Sequence, residues 1–333
     1  MGNLLLVELR RLTARRVVRL LMLAVLAIVL IVEVRAFAVS DRNVAAARRA
    51  AAAQQANIET KLADPTGICE RLKEQRQAPP DLDCASPQGQ DLARRVVLSG
   101  ASAEELYRDP RLFARDALPS GAHAVVVGMA IIAFLVGATY VGAEWNAGTM
   151  QALLFWEPRR GRVLLAKGVA LVAVTIAATA ALQVLVYGMT YLVAATRGST
   201  AGVTAGLQTS VLLLGLRGLV VVVCTSLLGF GIAGLARVTA AAMGAGFVYF
   251  VILENLLRGL RPGWERYLFS ENVIAVLQKS FPVAPAHRSV ARALSGQQAL
   301  YQLSGVRGAV TLAVYLAILL GVFYGVFTRR DVT

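Results

Sequence analysis

The chain has 333 residues, of which 57% are hydrophobic and only 16% charged, and it carries a formal net charge of +14. That balance excludes an ordinary soluble domain, in which about a quarter of the residues are charged. It also argues against nucleic acid as the partner, because the basic residues are scattered at the ends of apolar runs, where membrane topology places them, and form no single patch.

Residues 1–16 place Leu5, Leu9 and Leu12 along one helical side, with Glu8, Arg11 and Arg15 elsewhere. This pattern predicts a cytoplasmic amphipathic helix lying in the interface; a solvated basic flank is the plainer alternative. Residues 17–39 are the first transmembrane helix. Basic residues precede it, but the core is long and no small-x-small site closes it, so it is a retained anchor and not a cleaved signal.

Residues 40–121 form a polar extracytoplasmic insert without an alternating strand pattern, and a small helical unit is expected. The Ala-rich stretch 44–62 favours helix. Asp64-Pro65 predicts an N-cap followed by proline at the first helical position, and Ser102 with Glu105 makes a capping box. Such a unit is too small for a large core, which gives Cys69 and Cys84 their interest. Two cysteines 15 positions apart in an oxidising compartment predict a disulfide; two free thiols are the alternative.

Residues 122–333 hold five further spans, near 122–141, 168–196, 211–236, 238–257 and 308–328. The third contains no charge over 29 residues and the sixth none over 21, and about 20 suffice to cross the hydrocarbon. The expected fold is therefore all-α and integral to the membrane, with six helices, since each backbone N–H in lipid must be satisfied within its own segment. Glycines in 229–234 predict small faces for helix packing. Residues 259–306 carry Trp264, Tyr267 and Phe269 and then Val273, Ile274 and Leu277, broken by Pro282 and Pro285, and predict short outer helices at headgroup level.

Charges inside spans are few. Glu254 and Arg258, four apart in the fifth span, form a possible intramembrane ion pair, and Arg217 can snorkel outward. Glu33 and Arg35 near the end of the first span read the same way, either as structural pairs and anchors or as parts of a substrate path. Twelve basic residues fall on the side of the termini, against six in the two shorter loops opposite. That asymmetry puts both termini in the cytoplasm of a multi-pass protein of the cytoplasmic (plasma) membrane.

Between the second and third spans lies a charged segment, residues 142–167. Thr149 can cap a helix whose Met150, Leu153 and Leu154 share a face, and Pro158 ends it. Arg159, Arg160, Arg162 and Lys167 follow at once. A one-sided helix held outside a membrane by basic residues has the form of a docking surface. Nothing in the chain suggests catalysis: His123 and His287 have no metal-ligand neighbours at suitable spacing, and no Gly-x-x-x-x-Gly-Lys-Ser/Thr cradle appears. No metal or cofactor is expected in this chain, and any nucleotide energy must come from a partner.

Several of these residues together give the chain a known look. Glu144 with Gly148-Thr149, then Leu153-Leu154, Pro158-Arg159-Arg160 and Lys167, and the closing Phe327-Thr-Arg-Arg-Asp-Val332, resemble the permease subunits of ABC-2 type exporters. The six-span layout extends the likeness over most of the chain. The resemblance implies a coupling helix near 146–157, at which Glu144, Gly148, Thr149, Met150, Leu153, Leu154, Pro158, Arg159 and Arg160 meet a separate ATP-binding subunit. ATP and Mg would be held by that subunit, and a second copy of the permease or a paralogue would complete the path. The 40–121 insert, with its own cysteines, departs from the simplest members and leaves the subgroup and substrate open. The other classes are a secondary transporter, whose paired acidic residues in repeated broken helices are not seen, and a scaffold or sensor displaying the insert.

Overall fold

Apolar runs become helices here because a backbone in hydrocarbon has no other partner for its N–H and C=O groups. The computed structural model describes residues 2–75, 77–79, 81–98, 109–157, 159–260, 262–283 and 301–329. The predicted capping box of Ser102 and Glu105, Pro158, Pro285, His287 and the tail beyond 329 lie outside the described residues. Among those described, six helices are long and apolar enough to cross a membrane. They are α2 (Arg16–Val39), α6 (Ala114–Asn146), α8 (Arg160–Arg197), α9 (Ala205–Ala236), the fifth span Thr239–Leu260, and α13 (Gly305–Arg329). The chain is an all-α integral membrane protein.

The helices overrun the apolar runs that predict them. The second span begins at Ala114, inside the stretch read as polar insert, and α8 continues for 38 residues. At about 1.5 Å per residue α8 is close to twice the thickness of the hydrocarbon core, so its ends stand beyond it. The fifth span is not one regular helix. It runs as α10 (Thr239–Phe247), a π-helical turn at Val248–Leu253, and α11 (Glu254–Leu260).

The chain divides into two compact units, one of Met1–Glu33, Arg115–Tyr191 and Gly202–Thr333, the other of Val34–Ala114 and Leu192–Ala201. The core of the first joins Leu12, Val136, Tyr140, Met150, Leu171, Phe230, Phe323 and Phe327. Glycine lets helices in this unit touch. A Cβ on Gly137 would stand 2.0 Å from the Ser226 carbonyl oxygen, and one on Gly229 would stand 2.2 Å from that of Phe134. Gly231 meets Leu319, and Gly234 meets the Phe323 ring. The small faces of the fourth span therefore serve packing within one chain.

After α11 come a 3-10 turn (Pro262–Tyr267) and α12 (Phe269–Gln278). The expectation of short helices alone across 259–306 is corrected beyond 278. There β1 (Ser280–Val283) pairs antiparallel with β2 (Tyr301–Ser304), Pro282 opposite Gln302. Pro282 has no N–H to give a helix, and a two-stranded ribbon is all edge, where proline is tolerated.

The second unit contains α3 (Val44–Leu62), α4 (Pro65–Glu74) and α5 (Pro87–Leu98). The Asp64 carboxylate caps α4 by accepting from the Gly67 N–H at 3.0 Å, with Pro65 opening the helix. Ile68, Leu72, Ala78 and Ala93 bury a small core around Cys69 and Cys84, which are bonded to each other. The strand-like Phe113 pairs with Ser199, and the Ser199 N–H donates to the Leu112 carbonyl at 2.8 Å.

Candidate functional site

The segment between the second and third spans folds as a helical hairpin tip. α6 ends at Asn146, and α7 (Thr149–Trp156) starts directly after Gly148. Gly148 is left-handed, with φ of +68°, a conformation that costs a residue with a Cβ roughly 1–2 kcal/mol. The cap expected at Thr149 is corrected: Gly148 occupies the N-cap, no side chain caps the helix, and the Thr149 hydroxyl donates backward to the Glu144 carbonyl at 3.3 Å. Glu157 closes α7 in extended backbone, as the residue before a proline must, and its N–H returns to the Leu153 carbonyl at 3.0 Å.

The exposed face of α7 is not the one its apolar spacing predicts. Met150 is fully buried in the core with Leu12, Phe323 and Phe327, and Leu154 packs against the same cluster. Leu153 is half-buried. Phe155 and Trp156 point out, 89% and 90% exposed. Periodicity identifies residues that need covering, and here this chain covers Met150 and Leu154 itself. Arg159 is exposed, whereas Arg160 donates to the Phe327 and Thr328 carbonyls at 3.3 and 3.5 Å. It thereby satisfies the last turn of α13 and complements the negative end of that helix.

Glu144 is turned inward. Its carboxylate binds Lys167 Nζ at 2.7 Å through one oxygen and the Arg15 guanidinium through the other. Lys167, with no exposed surface, also reaches Glu8 at 2.8 Å, and Glu8 accepts from the Tyr140 hydroxyl at 2.5 Å. Arg15 and Lys167 lie over the Tyr140 ring at 5.0 and 4.9 Å from its centre. Arg15 donates further to the Thr139 carbonyl at 3.1 Å. The two carboxylates are matched by Arg15 and Lys167, with the half-exposed Arg11 at 3.6 Å from Glu8, which is what permits their removal from water. The cluster joins α1 (Gly2–Ala14), the α1–α2 joint, α6 and α8 immediately behind α7.

Sequence reasoning missed Glu8, Tyr140, Phe155 and Trp156. One signal was available: Glu8 is the lone acid of a basic amino-terminal segment, and an apolar helix face gives it no reason to be there. The partners 159 positions away are not readable from spacing.

The other in-span charges resolve separately. Arg258 approaches Glu254 at 3.6 Å but sits closer, at 2.9 Å, to Glu271 of α12. Glu254 also accepts from the Ser270 N–H at 3.1 Å, so the cluster ties α11 to α12 in addition to pairing along one helix. Arg217 reaches the Leu277 carbonyl at 3.5 Å near the end of α12. Glu33 is paired not with Arg35 but with the Thr190 hydroxyl, at 2.8 Å. Among the described residues no group of three or more His, Cys, Asp or Glu side chains is placed to hold a metal ion.

A family model described as ABC-2 family transporter protein matches residues 3–332. No curated protein and no solved structure gives a significant match.

Proposed function

The chain belongs to the ABC-2 transporter family and is a membrane permease subunit, and from that premise we propose that it is the transmembrane half of an ATP-driven exporter. In this reading a separate ATP-binding subunit docks on α7, and closure of two such subunits moves the membrane helices against each other. The observation that carries it is the aromatic tip: Phe155 and Trp156 stand almost fully in the open on a short helix whose other side is fixed to the core. Exposed neighbouring aromatics on a rigid element are typical anchors of a protein interface.

Coupling needs the tip and the membrane helices to move together, because a partner does work only through different contacts with two states. The Glu8–Lys167–Glu144–Arg15 cluster suits this, being a buried linkage from α7's own hairpin to the amino-terminal helix and the third span. Leu12 of α1, Met150 of α7 and Phe327 of α13 share one core, which fits both termini on the side of the docking helix. The basic excess on that side assigns it to the cytoplasm. ATP and Mg belong to the partner, and a second permease copy or a paralogue completes the complex.

The test is the double variant Phe155→Asp with Trp156→Asp, co-expressed with the proposed ATP-binding subunit. Both side chains are exposed in the isolated chain, so folding and membrane insertion are unaffected. The expected result is loss of co-purification and of permease-dependent ATPase activity. Full association and unchanged transport would refute the assignment of α7.

A further inference from the structure

We propose that Glu33 and the cavity it lines form a binding site for a lipophilic organic cation. The first span buries only two of its side chains, Val18 and Glu33, and Glu33 is 6% exposed. Of the five other buried carboxylates, Glu8, Glu144, Glu254 and Glu271 each have a lysine or arginine within 4 Å. Glu33 has none among the described residues; its one described partner is the Thr190 hydroxyl, which donates at 2.8 Å. That single hydrogen bond leaves the second carboxylate oxygen without a described partner, and a cation seated against it would supply the counter-charge that the paired carboxylates already have.

The space for that counter-charge is present. Glu33 borders a cavity of about 350 Å³ between α2, α6 and α8, within the ordinary range of small-molecule sites. Its walls are apolar, including Ile28, Val29, Val125, Met129 and Leu182. Gly128 also lines it, and a Cβ there would meet nothing within 4 Å. The chemistry selects a single positive charge within a hydrocarbon or aromatic envelope. The lining contains no lysine or arginine for a phosphate, so the occupant is a free lipophilic cation and not a phospholipid headgroup. The inference concerns binding and stands independently of the docking role of α7.

Full-length protein in phosphatidylcholine nanodiscs, with radiolabelled tetraphenylphosphonium as the probe, tests it. The native chain is expected to bind saturably, with triphenylphosphine oxide, a neutral analogue, failing to compete. Glu33→Gln keeps the size and an acceptor for Thr190 but removes the charge, and is expected to weaken binding at least tenfold. Gly128→Leu leaves the carboxylate in place and fills the open space, and is expected to abolish binding. Should Glu33→Gln fail to fold, the Gly128→Leu result decides alone. Absence of saturable binding to the native chain, or unchanged affinity in either folded variant, overturns the proposal. Loss of probe binding in phosphatidylethanolamine discs would reassign the site to a lipid amine and overturn the choice of occupant.

Discussion

Replacing Lys167 by methionine is the sharpest test of the cluster behind α7. The ammonium has no exposed surface and bridges Glu8 at 2.8 Å and Glu144 at 2.7 Å. At an effective dielectric of 20, each contact at such distances is worth about 6 kcal/mol of Coulomb energy, against which stands the cost of drying three charges. Methionine fills similar space, so packing changes little, but the cluster loses the one fully buried cation, which bridges both acids. Glu144 keeps Arg15, while Glu8 is left with the Tyr140 hydroxyl and a distant Arg11 at 3.6 Å. Breaking a buried pair by removing one partner costs about 3–5 kcal/mol, and that is the expected loss in reversible unfolding in mixed micelles. Adding Glu8→Gln removes the carboxylate that has lost its close cation and is expected to recover about 2 kcal/mol, a coupling energy within the range of contacting residues. A loss below 1 kcal/mol for Lys167→Met, or strictly additive effects in the double variant, would refute the reasoning.

Other consequences are smaller and equally measurable. Tyr140→Phe removes one hydrogen bond to the charged Glu8 and should destabilise by about 1.5–3 kcal/mol in the same assay, with the ring's contacts to Arg15 and Lys167 retained. Gly148→Ala places a Cβ at φ of +68° and should cost about 1 kcal/mol, read as a lower melting temperature; equal stability would remove the argument from the left-handed cap. Cys69 and Cys84 should react with maleimide only after reduction, and replacing both with serine should cost the second unit about 3 kcal/mol for a 15-residue loop. Labelling of both without reductant would contradict the bond.

The six spans were legible in the sequence because the requirement that makes them is local: an apolar run in lipid can satisfy its backbone only within itself. The same holds for the Asp64 cap with Pro65, whose hydrogen bond closes over three residues. The hairpin tip was legible as an element for a related reason, since Pro158 ends a helix by its own backbone limits, although the start was expected from a Thr149 cap and is set by Gly148. Which face of α7 is free was not. Met150 and Leu154 record a need for burial, and that need is met by Leu12, Phe323 and Phe327 from both ends of the chain, leaving Phe155 and Trp156 outside. Charge pairing followed the same division. Glu254 and Arg258 were readable four residues apart, yet Glu271 proved the nearer partner, and the Glu8–Lys167 contact spans 159 positions. A charge must find its counter-ion wherever the fold brings one, and nothing in local spacing says where that is. Hydrophobicity and backbone chemistry thus fixed what the six spans are, and only the tertiary structure decided which side of α7 stays exposed.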